Sequence, residues 1–467
     1  MAQSSTRSIE LQQDPVRPAP TNVSSTEADV YSSSLRYSAG LHDGQRVLGE
    51  TGGTERDFAS RSEALQTWNG SSANLAKTLA IFLCFLIMGA NDAAYGPLLP
   101  YLMRFYDVTH TIVSLIFLSP FIGYVGSAVL NNWTHLRAGQ RGIAILCSSC
   151  HLVAYIIISQ HPPFFVLVAA FILAGFANGL ANAAWNSWMG SLANASELLG
   201  FMHSFYGLGG VSSPPIATAF ITQLHLPWYK FYYVMIGLAS VEVATLVFAF
   251  WSETSVVYKE LHRVNEVERE ANLTGALCRM PAARVAWTCA AFLLGYAGIE
   301  VALGGWIVLF MIEVRNGEAF ASGMSAMGFW LGITVGRAVL GFVTVRFGIK
   351  TMTSSYICAA IGLQLIFWLV PEFYVSVLAV ALQGFFLGPL YPSIVLVASK
   401  LLPRHQHVVV IGFAAAFGGC GAAVLPFLTG LLAEGVGVQV LQPVILALMV
   451  VLLAVWLVLP RMNKKRD

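Results

Sequence analysis

The chain has 467 residues, 56% of them hydrophobic and 11% charged. Soluble chains carry about 25% charged residues, so this deficit points to lipid as the main solvent. A net charge of +2 gives no electrostatic case for a nucleic-acid partner, and seven scattered cysteines do not read as a disulfide framework.

Residues 1–75 are rich in Ser, Thr, Gln, Arg, Glu and Asp, with Pro15, Pro18 and Pro20. They are expected to form a disordered tail, and no signal peptide is expected because no apolar core opens the chain. Twelve apolar runs follow, each near the length of about 20 residues that crosses a bilayer. These spans lie near 79–103, 110–131, 142–160, 164–188, 198–223, 230–251, 285–312, 320–343, 351–370, 373–399, 407–432 and 441–460. The polar stretch 252–284 is a linker that divides them six to six, and 461–467 is a basic tail.

Lys and Arg collect on one side of these spans: Arg137, Arg141, Lys259, Arg263, Arg269, Arg279, Arg284, Arg346, Lys350, Lys400, Arg404 and the "RMNKKRD" end. The other side holds Arg104, Lys230 and Arg315. Basic loops stay in the cytosol, so both termini are expected there. The sequons at Asn132, Asn194 and Asn272 are then cytosolic and unglycosylated.

The two sets of six spans repeat. "GFMHSFYGLGGVSSP" lies over "GFAAAFGGCGAAVLP" at an offset of 212, and "RAGQR" (137–141) lies over "RFGIK" (346–350) at 209. At 208, Asp92, Ala94 and Gly96 lie over Glu300, Ala302 and Gly304. A parallel repeat of this size is a pattern of secondary transporters. An acid in a membrane span costs roughly 2.5–3.5 kcal/mol or more, yet each half brings one to a corresponding depth.

With these features, residues 76–460 resemble the major facilitator superfamily. That implies an all-α membrane protein of twelve transmembrane helices in two pseudo-symmetric six-helix bundles. "RFGIK" and "RAGQR" look like the family's cytoplasmic loop motif, with Val345 where its Asp would stand. On this resemblance Arg137, Gly139, Arg141, Arg346, Gly348 and Lys350 are expected to act in conformational switching. "ND" in span 1, "GLGG" in span 5, "EVALGGW" in span 7 and "GFFLGPLYPS" in span 10 are similar to the fucose permease-like branch and its fungal relatives. In that branch an Asp in span 1 and a Glu in span 4 take part in proton coupling. Asp92 matches the first; Asn182 stands in place of the second, and Glu300 is the candidate substitute.

Other candidate site residues follow from spacing. Asn178, Asn182, Trp185 and Asn186 are separated by 4, 7 and 8 residues and share a helical face. Such a polar stripe faces protein or a water-filled cavity; the plainer alternative is interhelical hydrogen bonding worth roughly 0.6–2 kcal/mol per bond. Gln383 and Tyr391 are eight apart and share a face, and Tyr95 follows Asp92 by three. Asn91, Tyr296, Trp306 and His203 complete the set expected to bind a polar, ring-shaped or amphipathic solute. Arg337 is placed to snorkel or pair locally, and Glu242 has no evident partner. "CSSCH" (147–151) fits a haem-attachment pattern, but it lies inside span 3 and is rejected.

No ATP-binding signature or catalytic constellation stands out, so neither an ATP-driven pump nor an enzyme is expected, and no metal or cofactor. The expectation is a monomeric secondary transporter for a small organic solute, with protons as coupling ion, in the plasma membrane rather than an internal one. The alternatives are an efflux carrier for a secondary metabolite or drug-like compound, and a non-transporting nutrient sensor.

Overall fold

The computed structural model describes residues 66–262, 277–278, 280, 282–402 and 404–459. Most of the expected tail, the middle of the expected linker and the basic end lie outside them. The first helix, α1 (Ser72–Tyr106), starts at a Ser71 cap whose hydroxyl accepts from the Asn74 amide, four residues inside the stretch expected to be tail. After it come α2 (His110–Val113), α3 (Leu115–Ser159), α4 (Phe164–Gly190), α5 (Ala195–Thr222), α6 (Phe231–Ala249) and α7 (Ser255–His262). The second half holds α8 (Ala282–Glu313), α9 (Ala319–Phe347), α10 (Ile349–Leu369), α11 (Phe373–Leu387), α12 (Leu390–Leu401), α13 (Arg404–Val436) and α14 (Leu441–Val458).

Among the described residues, ten helical stretches are long and apolar enough to cross a membrane. One of them, His110–Ser159, has 50 residues and holds two spans. α5, the more polar stretch of span 5, brings the total to twelve. Spans 2 and 3 are thus joined without the expected loop. The chain changes direction at Gly139, which has φ 68° and ψ −166° inside an otherwise helical run. Span 10 shows the reverse, one run broken in two. Pro389 lacks the N–H that would continue α11, so the chain restarts as α12.

Both halves close on the same glycine seams. A Cβ at Gly123 or Gly175 would collide with the facing backbone of α4 or α3. Gly332 and Gly384, each 209 residues on, meet the same obstacle between α9 and α11. Gly209 sits against the Leu86 carbonyl, and Gly421 against the Leu294 carbonyl. With lipid on the outside there is little hydrophobic drive between helices, so such close backbone contact supplies the packing.

The two halves meet mainly toward the face opposite the start of α1 and the end of α14. There Gly96 abuts the Gly304 carbonyl, Gly305 abuts Phe117, and Gly430 lies against Ser114 and Trp306. The Thr111 amide donates to Glu434 at 3.2 Å, and His110 lies 3.8 Å from Glu313.

Candidate functional site

Asp92 lies in the middle of α1, held by three donors from three helices. Asn91 Nδ2 approaches one carboxylate oxygen at 3.1 Å, Asn178 Nδ2 the same oxygen at 3.4 Å, and the Tyr206 hydroxyl the other at 2.9 Å. A carboxylate is acceptor-only, so the set suits the ionised form. Asn91 also donates to the Tyr95 hydroxyl at 2.9 Å. Both Asn91 and Tyr95 are buried behind Asp92, with the Tyr95 ring edge-on to Phe117 and Phe171. They orient the acid and do not themselves face open space.

Behind Asn178 the chain of contacts continues into the N-terminal half. Asn178 Oδ1 lies 2.8 Å from His151 Nε2, and His151 Nδ1 lies 3.1 Å from both oxygens of Glu242. His151 and Glu242 are fully buried. So the histidine of the discarded "CSSCH" pattern, and the glutamate with no evident partner, are partners of each other. Sequence reasoning missed this pair because 91 residues separate them.

In the other half Glu300 pairs with Arg337 at 3.0 Å, and the same Nη2 reaches the Tyr296 hydroxyl at 3.2 Å. Arg337 Nε donates to the Gly388 carbonyl at 3.3 Å, at the break in span 10. Arg337 therefore does not snorkel; it holds α8, α9 and the α11–α12 break together. The two acids face similar middle positions of their halves, and aromatic groups lie between them. Tyr206 is within electrostatic reach of Glu300, and His203 of Arg337. The Tyr391 ring stands 6.2 Å from His203 and 6.3 Å from Tyr296.

Asp92, Tyr124, Asn182, Asn186, His203, Tyr206, Arg337 and Tyr391 are all half-buried. Asn182 Nδ2 is 3.4 Å from the Tyr124 hydroxyl, and Asn186 donates to the Asn182 carbonyl at 2.8 Å. Among them His203 and Tyr391 meet across the two halves.

Several expected site residues stand elsewhere. Trp185 is fully buried against Phe250 at 4.5 Å, on the packed side of α4, because its large ring turns from the amide stripe toward α6. Trp306 belongs to the far closure: its Nε1 donates to the Pro426 carbonyl at 3.0 Å, and its ring stacks on His110. Gln383 does not share a face with Tyr391, since the Gly388–Pro389 break resets the helical phase between them. It donates to Gln364 at 2.7 Å, which in turn donates to Gln442 at 2.7 Å, in a buried amide layer between α10, α11 and α14. Tyr296 is buried beneath Arg337.

The two loop motifs take matching shapes. Gly348 has φ 100°, and Gly139, 209 residues earlier, has φ 68°. A Cβ at Gly139 would collide with the backbone of Glu253 and Thr254, while Gly348 has open space. The Arg141 amide donates to the Glu253 carbonyl at 2.9 Å, and the Glu253 carboxylate pairs with Lys77 of α1. Arg141 lies over the Trp251 ring and Arg137 over Trp133. Arg346 lies over Phe347, and Lys350 Nζ donates to the carbonyls of Leu457 and Leu459 at the end of α14.

The sequence profile of the Major Facilitator Superfamily matches residues 81–371 and 323–467. "Bypass of stop codon protein 6" of Saccharomyces cerevisiae (strain ATCC 204508 / S288c) is 30% identical over 425 residues, 84% of each chain. The "Glucose/mannose transporter GlcP" of Bacillus subtilis (strain 168) is 24% identical over 362 residues, 74% of this chain and 85% of its own. Among solved structures, a D-xylose-proton symporter superposes with a TM-score of 0.66 at 12% identity, covering 85% of this chain and all of that one. A bacterial homolog of the human lysosomal transporter Spinster, inward-facing and unoccupied, gives 0.64 at 12% identity over 83% and 96%. Fold and family are those of multi-pass membrane transporters.

Proposed function

We propose that this chain, which belongs to the Major Facilitator Superfamily, moves a small, hydroxyl-rich organic solute by proton-coupled alternating access. The observation that carries it is the pairing of Asp92 in one half with the Glu300–Arg337 pair in the other, beside half-buried amides and phenols. Such a set offers many donors and acceptors at fixed positions, which suits a polyhydroxylated solute better than an apolar one. The sugars named for the bacterial relative and for the symporter favour the same class. Asp92 takes the coupled proton, and Glu300 and Arg337 hold the solute. With both termini cytosolic, as the Lys and Arg asymmetry favours, the far face is extracellular and its contacts shut the outer side. "RAGQR" and "RFGIK" then hinge the cytosolic ends, at the plasma membrane.

The test is uptake by proteoliposomes of a panel of labelled hexoses, pentoses and polyols, with and without an inward-directed proton gradient. At least one compound should accumulate, and only with the gradient. A panel that neither enters nor raises the protein's thermal midpoint excludes the solute class. Binding without entry would favour a sensor.

A further inference from the structure

We propose that His151 and Glu242 share a single proton whose position follows the charge on Asp92. This rests on the reading of Asp92 as the proton carrier and extends it to a pair that never meets the solute. The hydrogen-bond inventory carries it. Asn178 turns its NH2 group toward Asp92 and its carbonyl oxygen toward His151, so Nε2 must donate. Nδ1 faces only the two oxygens of Glu242, and one proton must lie between them. It sits either on Nδ1, giving imidazolium and carboxylate, or on Glu242, giving two neutral groups.

Both arrangements have zero net charge; burial by itself favours the neutral pair, and a negative charge on Asp92 offsets that toward the ion pair. They differ in where positive charge lies relative to Asp92. With Asp92 ionised, the proton belongs on Nδ1, and imidazolium charge reaches Asp92 through the Asn178 amide. When Asp92 takes up a proton, that attraction disappears. The Nδ1–H bond then breaks, its electron pair stays on Nδ1, and an O–H bond forms on Glu242. No proton is exchanged with solvent in this step. The other titratable groups beside the pair are thiols and a phenol, Cys84 from α1 with Cys147 and Tyr155 on α3 itself, and behind Tyr155 stand the phenols Tyr95 from α1 and Tyr232 from α6. All are neutral near pH 7, so Asp92 is the group that sets the balance. His151 is a positioning residue, acting through Asn178.

The test uses the full chain, labelled with 15N-histidine and reconstituted in phosphatidylcholine vesicles, with His151→Gln to assign the signals in solid-state NMR. An ordinary histidine gains its second proton as pH falls. His151 should do the opposite, showing both nitrogens protonated at high pH and losing the Nδ1 proton as Asp92 titrates. In Asp92→Asn it should stay neutral throughout. A wild-type His151 that gains a proton on acidification, or does not respond, overturns the inference without recourse to any variant. Transport failure is separable. An uncoupled carrier with inverse titration keeps the shared proton and loses the coupling, while coupled transport with ordinary titration does the reverse.

Discussion

The two halves share their packing and differ in what they bury. In the N-terminal half the polar chain runs from Asp92 through Asn178 and His151 to Glu242, with groups at both ends that can change charge. In the C-terminal half the central polar group is the Glu300–Arg337 pair, whose guanidinium is charged at any working pH. Its deeper layer is Gln364, Gln383 and Gln442, which carry no charge. Gln364 and Gln442 stand 209 and 210 residues after Tyr155 and Tyr232, whose rings lie 6.0 Å apart. The repeat has kept the glycine seams and exchanged the polar chemistry. One frame therefore presents a movable charge on one wall and a fixed one on the other.

The sharpest way to break that comparison is to neutralise each acid in turn. Asp92→Asn should abolish accumulation driven by a proton gradient while solute counterflow persists, since exchange needs no net proton movement. Glu300→Gln leaves Arg337 without its anion. Removing one partner of a buried pair costs about 3–5 kcal/mol, and partial exposure of Arg337 places this one toward the lower end. Solute affinity and the thermal midpoint should both fall. If the two variants lose the same property, the halves do not divide the work.

The matched glycines give a smaller contrast. A side chain forced into a sparsely populated backbone region costs about 1–3 kcal/mol. Gly348→Ala should pay only that strain, slowing turnover more than it weakens binding. Gly139→Ala adds a collision with Glu253 and Thr254 and should lower the thermal midpoint further. Equal melting curves would show that the packing around Gly139 yields.

The smallest effect concerns the amides. Gln383→Leu removes the hydrogen bonds to Gln364 and the Met449 sulfur from a neutral layer and should cost about 1 kcal/mol with transport unchanged. Asn182→Ala, on the half-buried stripe, should weaken transport at unchanged surface level. Parallel uptake and melting measurements distinguish them.

Much of this was legible in the chain. Apolar length marks the twelve spans, and the 208–212 offsets find the two bundles. Asp92 and Glu300 stand out because an acid in an apolar run needs a partner. What stayed hidden depends on three-dimensional phase. A one-residue turn at Gly139 joins spans 2 and 3, and the Gly388–Pro389 break moves Tyr391 off the face of Gln383. Trp185 keeps the spacing of the asparagine stripe, yet ring size sends it toward Phe250. His151 and Glu242 are each the single His, Asp or Glu of an apolar span, and only the packing of α3 on α6 makes them a pair.

The far-face seam has one more consequence. Between Gly96 and the Gly304 carbonyl there is no side chain to fold away, so the two walls fit only when shut. A methyl group placed there is a wedge. It raises the free energy of the shut conformation and leaves the parted one untouched, and a two-state population moves by that difference alone. About 1.4 kcal/mol of wedge shifts the ratio tenfold. The seam is thus a dial on the resting bias of the molecule, one helical turn from Asp92 and Glu300 and adjustable without replacing either of them.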